Sequence, residues 1–208
     1  MQRTVTLDEA ALLAACRLRG TVDATALQSA ADSPPWPEGG SSRPRNIVGL
    51  YTGGTLAHEA ETVLRGALGP AGLAKDTARI LDLGDDRFTV GRPHPMIDPA
   101  LRNEILAFDR DGMLFPPETD CIVLFDLILG RGAHPDPASG LARALEQARK
   151  TVHSRGGRLL ALGSIVGTAR DPQSLERQSA CLRAAGARLF STNSAAARQA
   201  ARYSKGEA

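Results

Sequence analysis

The sequence predicts an α/β fold, a flavodoxin-like doubly wound sheet of five parallel strands. Two observations lead there. Short runs rich in Val, Leu and Ile recur at residues 46–51, 79–83, 121–129, 158–162 and 188–191. Stretches with helical character follow each of them, at residues 55–68, 99–108, 137–152, 172–185 and 195–203. Apolar strands that alternate with helices imply a parallel sheet covered on both faces. Five such units in this length resemble the flavodoxin arrangement.

The elements follow in order. Residues 6 to 19 form an amphipathic helix, with Thr6 and Glu9 as a capping box and Gly20 as the stop. A stretch rich in Pro, Gly and Ser runs from Ser33 to Ser42 and reads as a linker. Residues 1–45 are therefore an arm, and residues 46–208 the α/β domain. The helix carries Leu7, Ala11, Ala14, Ala15 and Leu18 on one face, and that face is expected to dock on a partner or a neighbouring copy. Residues 121–129 are apolar except for Asp126 and should form the central strand. Asp98-Pro99, Asp136-Pro137 and Asp171-Pro172 each read as a helix start: Asp caps free N–H groups, and Pro has no N–H to leave unpaired.

Composition excludes several classes. The 25 basic and 23 acidic residues nearly balance at +2, and no basic block suggests nucleic acid as a partner. No run approaches the roughly 20 apolar residues that span a bilayer, so no membrane role is expected. Cys16, Cys121 and Cys181 are odd in number and lack metal-ligand spacing, so no metal site is expected. Cys121 opens an apolar run and should be a buried thiol. With no signal-peptide pattern after Met1, these features predict a reduced, cytoplasmic location.

Chemistry should lie beyond the C-terminal strand ends, where loops and helix N-termini favour anions. The first loop, Thr52-Gly53-Gly54-Thr55, offers glycines for close backbone approach and hydroxyl donors, but no P-loop lysine. Turn geometry alone would also account for it. The second and longest loop, residues 84–98, holds Arg92 and His94, the latter fixed between two prolines. His94 suits an acid, base, nucleophile or anion partner, or a structural bond to a loop carbonyl. The third loop carries Gly130, Arg131, Gly132 and His134; the fourth, from Gly163, carries Gly167, Thr168 and Arg170; the fifth carries Asn193. Together these residues describe a site for a small carboxylate or phosphate. Arg92, His94 and His134 are the catalytic candidates, and Thr52, Gly53, Gly54, Thr55, Gly130, Arg131, Gly132, Gly167, Thr168 and Asn193 the anion-binding ones.

The runs Gly49-Leu50-Tyr51-Thr52-Gly53-Gly54-Thr55-Leu56, Asp82-Leu83-Gly84-Asp85-Asp86 and Gly91-Arg92-Pro93-His94-Pro95-Met96-Ile97-Asp98-Pro99 resemble the C-terminal part of FdrA proteins. So do Gly132-Ala133-His134-Pro135-Asp136-Pro137 and Val166-Gly167-Thr168-Ala169-Arg170-Asp171-Pro172-Gln173. The resemblance spans about residues 46–201, and FdrA proteins are in turn similar to the ligase domains of succinyl-CoA synthetase. It implies a subunit of a multi-subunit carbamoyl or acyl transferase, similar to oxamate carbamoyltransferase, working with companion subunits as an oligomer. CoA or carbamoyl phosphate would be a substrate of the complex, with no cofactor assigned to this chain. One alternative is a succinyl-CoA-synthetase-like, nucleotide-diphosphate-forming acyl-CoA ligase subunit with His94 as phosphocarrier. Another is a non-catalytic assembly or regulatory subunit. His94 stands between prolines, unlike the glycine-rich setting of the synthetase phosphohistidine, so anion binding or proton transfer is its expected role. A short arm stands where FdrA proteins carry a CoA-binding Rossmann half, so a complete ligase reaction by this chain alone is not expected.

Overall fold

A computed structural model describes residues 6–19, 43, 45–69, 78–109 and 114–206. The elements are α1 (Leu7–Arg19), β1 (Arg45–Tyr51), α2 (Gly54–Leu68), β2 (Ala78–Asp82), the single turn α3 (Asp86–Thr89) and α4 (Ala100–Phe108). They continue with β3 (Asp120–Ile128), α5 (Pro137–Ser154), β4 (Leu159–Val166), α6 (Leu175–Ala184), β5 (Ala187–Phe190) and α7 (Asn193–Lys205). The five strands form one parallel sheet in the order β2-β1-β3-β4-β5. This is the doubly wound arrangement expected from the alternating pattern, with β3 in the centre.

The sheet is buried on both faces because each face carries its own apolar layer. On one side Val48, Leu50, Val123, Phe125 and Leu127 pack against Leu106 of α4, Leu141 and Leu145 of α5 and Leu182 of α6. On the other, Ile47, Ile122, Leu124 and Leu162 pack against Ala60 and Leu64 of α2 and Ala197 and Ala200 of α7. The alternation along β3 therefore feeds two cores, which is why residues 121–127 are all buried and read as one continuous apolar run. Cys121 is fully buried, and burial together with the neighbouring Asp120 pushes its thiol up to about 12.

Three expectations need correction. The dipeptide Asp171-Pro172 does not start a helix: Asp171 accepts from the backbone N–H of Thr168, and α6 begins three residues later with Ser174 capping Arg177. The loop expected from Gly163 is strand as far as Val166, held by parallel pairing with β3. The last helix starts at Asn193 rather than 195, since the Thr192 hydroxyl accepts from the Ala195 N–H. At Asp98, by contrast, the carboxylate caps the Ala100 N–H at 3.0 Å. Asp136 precedes α5 but turns its carboxylate to the Ser139 hydroxyl and the Gln178 amide.

The arm helix sits on its own domain. Leu7 N–H donates to Glu59 Oε1 at 2.6 Å, and Asp8 accepts from Ser194 and from Arg198 Nη1. Glu9 pairs with the other nitrogen of Arg198 at 3.3 Å. The first turn is thus fixed by charge and hydrogen bonds rather than by its apolar stripe, of which Leu7, Ala11, Ala14 and Leu18 stay exposed. The Pro/Gly/Ser linker and Gly20 lie outside the described residues.

Candidate functional site

Strand order reverses between β1 and β3: the chain leaves β1 toward β2 and leaves β3 toward β4. Loops that part in this way open a crevice beyond the strand ends, where ligands bind in sheets of this kind. Here the crevice is framed by Thr52-Gly53 after β1 and by residues 129–136 after β3.

A buried charge pair holds the first of these loops. Asp126, near the end of β3, accepts from the Thr52 backbone N–H at 2.9 Å and from its hydroxyl at 2.7 Å. Arg102 of α4 donates through Nη1 to the Asp126 carbonyl oxygen at 2.6 Å and approaches Oδ1 at 3.4 Å. Both side chains are 1% exposed. Burial pushes the Asp126 carboxyl up, and Arg102 and the Thr52 bonds pull it back down; burial also lowers Arg102. Thr52 was expected to donate to a ligand. Both its donors are instead committed to Asp126, which locks the loop that leads into α2.

Beyond that lock, helix geometry leaves the first N–H groups of α2, at Gly54, Thr55 and Leu56, without intrahelical partners. Gly53 is the cap residue, extended and without a capping side chain. Asp82, the last residue of β2, faces this start: a Cβ on Gly54 would lie 2.8 Å from its Oδ2. Its Oδ1 accepts from Gly84 N–H at 2.9 Å. Gly84 is the pivot. A Cβ there would meet His94 Nε2 at 2.8 Å, the Thr52 carbonyl oxygen at 2.8 Å and Asp82 Oδ1 at 3.2 Å. The sequence has glycine where three polar groups close around one point.

The two histidine candidates are built alike. His94 Nδ1 accepts from the N–H of Met96, and His134 Nδ1 accepts from the N–H of Asp136, at 3.3 and 3.1 Å. Each is a His-Pro-X turn, in which proline sets the bend and the third residue returns its N–H to the ring. With Nδ1 accepting, the neutral imidazole carries its proton on Nε2. Met96 links the turns, since its carbonyl accepts from the His134 N–H at 2.9 Å. The loop after β3 is further held by Gln173, whose amide accepts from Gly130 N–H and donates to the carbonyls of Gly130 and His134. Gly130 and Gly132 have φ of 139° and 86°, a region that favours glycine.

The structure thus brings Thr52 and His94 together around Gly84, with Gly54 reached through Asp82 and His134 joined through Met96. Thr55 is exposed in the first turn of α2. Arg92 and Arg131 stand exposed on the second and third loops, with no ion pair among the described residues. Three candidates are occupied elsewhere. Thr168 bonds within its own turn, to Asp171 and Arg170. Gly167 packs on Leu129, whose Cβ a side chain at Gly167 would meet at 2.9 Å. Asn193 is buried and ties α7 to α2 through the Leu56 carbonyl and Glu59. Sequence reasoning missed Asp82, Arg102 and Gln173 and left Asp126 unused, although a lone carboxylate in an otherwise apolar strand is a signal. Among the described residues no group of His, Cys, Asp and Glu could hold a metal ion, and no helix is long and apolar enough to cross a membrane.

The CoA-ligase family model matches residues 50–203, which takes in every element of this crevice except the first residues of β1. The uncharacterized protein YahF of Escherichia coli (strain K12) is 36% identical over 162 residues, covering 71% of this chain. The match takes in 30% of the length of YahF, so this chain spans under a third of that relative.

Proposed function

Because the chain belongs to the CoA-ligase family, we propose that it is an acyl-CoA-ligase-like subunit that holds the phosphoryl group of an acyl phosphate at the start of α2. The observation that carries this reading is the pair of interlocked His-Pro turns, with His94 meeting Thr52 and Asp82 around Gly84 beside the start of α2 and its free N–H groups. An acyl phosphate needs hydrogen-bond donors for its oxygens and a proton for its leaving group. The N–H groups of Gly54, Thr55 and Leu56 supply the first, and His94 Nε2–H supplies the second. Arg92 and Arg131, exposed on the flanking loops, are the cations that would close over the bound group. Within the family, the histidine motif at residues 91–99 favours the FdrA-type branch.

His94 acts here as a proton donor and acceptor rather than as a phosphocarrier. Its Nε2, the Thr52 carbonyl oxygen and Asp82 Oδ1 lie 2.8, 2.8 and 3.2 Å from one point above Gly84, so the nitrogen faces the same small space as two acceptors. A nitrogen that shares this space with acceptors is placed to donate, and the nearby carboxylate would oppose a covalent phosphoryl group. The comparisons favour ligase-type chemistry over carbamoyl transfer, for which no observation in the fold speaks. Activation of the carboxylate and handling of CoA are assigned to companion chains.

Titration of the full chain with acetyl phosphate tests the reading. Binding should weaken about tenfold or more in His94→Ala and in Arg131→Ala, since each change removes a charge-assisted or neutral donor. His94→Gln should retain binding better than turnover in the reconstituted complex. Acid-labile phosphate on His94 would overturn the proton-transfer role, and unchanged binding in both alanine variants would overturn the site.

A further inference from the structure

A second polar layer lies on the α2/α7 face of the sheet, just below its C-terminal edge and next to Asp126. Tyr51 closes β1 and is packed into the core on this face. Ser164 of β4 is the register partner of Asp126. Glu59 comes from α2 and Asn193 from α7, joined by a bond of 2.8 Å from Asn193 Nδ2 to Glu59 Oε2. Glu59, Ser164, Asn193 and Thr192 line a cavity of about 270 Å³, roofed by Leu7 and Asp8 of α1.

Three oxygens in this layer have no hydrogen-bond partner: the Tyr51 hydroxyl, Ser164 Oγ and Asn193 Oδ1. Their residues are 0%, 3% and 4% exposed. The Asn193 amide cannot be turned to relieve this, because its nitrogen already donates to two oxygens, on Leu56 and Glu59. Its Oδ1 is therefore an acceptor waiting for a donor or a cation. Glu59 is 7% exposed, and its two bonds come from neutral donors, the Leu7 N–H and the Asn193 amide. It forms no ion pair among the described residues. The neighbouring carboxylates are balanced, Asp126 by Arg102 and Asp8 by Arg198. Glu59 is thus a buried carboxylate with no cation beside it among the described residues, in a cavity it shares with Ser164, Thr192 and Asn193.

Water in the cavity would satisfy the hydrogen bonds and leave the charge uncompensated, which is costly at this depth. One carboxylate with neutral oxygens is too weak a set for a divalent ion, which draws on several carboxylates. We propose that Glu59, Ser164 Oγ and Asn193 Oδ1 bind a monovalent cation of potassium size, K+ or ammonium, in the cavity beneath the first turn of α1. The ion neutralises Glu59 and so supports the Leu7 and Asn193 bonds that join α1, α2 and α7. Tyr51, kept protonated by its burial and by Asp126 and Glu59 nearby, lies in the same layer outside the cavity lining.

The test is thermal unfolding of the full chain in KCl, NH4Cl, NaCl and choline chloride at one ionic strength. KCl or NH4Cl should raise the midpoint over choline chloride by roughly 2–4 °C or more, saturating with concentration. The two salts together identify which ion the site prefers. The shift should shrink in Ser164→Ala and vanish in Glu59→Gln. Equal midpoints in all four salts would overturn the proposal and leave a water-filled cavity or a protonated Glu59. Should Glu59→Gln fail to fold, Ser164→Ala decides: a cation shift as large as in the parent chain overturns the assignment.

Discussion

Replacing Arg102 by Met probes the charge pair beneath the crevice. The methionine fills most of the same space but removes the cation, and Asp126 stays buried with 1% of its side chain exposed. Breaking a buried pair from one side costs about 3–5 kcal/mol, a large part of the 5–15 kcal/mol typical of whole-domain stability. The loss should depend on pH. Burial already pushes the Asp126 carboxyl up, with Arg102 pulling the other way. Without Arg102 the folded-state value moves further above the unfolded value of about 3.9. A group raised on folding contributes stability below its unfolded value and loses it as pH rises through its folded value. The variant should therefore be more destabilised at pH 8 than at pH 5, measured by urea unfolding followed by circular dichroism. Adding Asp126→Asn should recover much of the loss, because the amide oxygen still accepts from the Thr52 N–H and no charge is buried. An equal loss at both pH values, or no recovery in the double variant, would refute the coupling of Arg102 to Asp126.

Other consequences follow from the same contacts. Gly84→Ala would press a methyl against the Thr52 carbonyl oxygen at 2.8 Å, well inside normal contact. It should cost about 1–3 kcal/mol in chemical unfolding and weaken acetyl phosphate binding, whereas Gly53→Ala meets nothing within 4 Å and should be mild in stability. Although burial works against it, hydrogen bonds from Ser194 and Thr6 and the charge of Arg198 bring Asp8 down to about 2. Docking of α1 should thus be complete above about pH 4 and lost as pH falls through about 2, seen as faster amide exchange at Leu7. Cys121, fully buried and with its thiol pushed up to about 12, should resist thiol reagents in the native chain, while the half-buried Cys16 and Cys181 react.

The fold was legible because its determinants are local and repeated. Each strand is a short apolar run and most helices begin at a residue that can cap, so period and punctuation suffice to order the elements. Where the reading slipped, a tertiary contact had overridden a local signal. Asp171-Pro172 looks like a helix start, yet Asp171 is used by Thr168 and the helix waits for Ser174. Residues 163–166 look like a glycine and hydroxyl loop, yet pairing with β3 keeps them in the sheet. The site was legible as a set of loops but not as a set of contacts. That Gly53, Gly54 and His94 share one edge follows from the βα pattern. That Thr52 is committed to Asp126, or that Asn193 faces Glu59, depends on side chains from elements 74 and 134 residues away. Arg102 was invisible for the same reason: on a helix an arginine reads as solvated, and only the folded chain brings it against Asp126 and buries it.

Asp82 adds a constraint that the loop pattern conceals. A carboxylate at the start of α2 favours the helix dipole, and it also occupies the field in which a phosphoryl group would bind. Two negative groups can share that space only if a proton or cation lies between them. His94 is the group placed to supply one, because its Nε2 and Asp82 Oδ1 lie 2.8 and 3.2 Å from the same point above Gly84. Its Nε2–H would donate to the arriving phosphoryl group and offset the repulsion from Asp82. Asp82→Asn separates this coupling from simple repulsion. If Asp82 only repels, the variant binds acetyl phosphate more tightly whether or not His94 is present. If it works through His94, the gain disappears when His94→Ala is added. A gain of equal size with and without His94 would leave Asp82 a source of repulsion alone and His94 a donor alone.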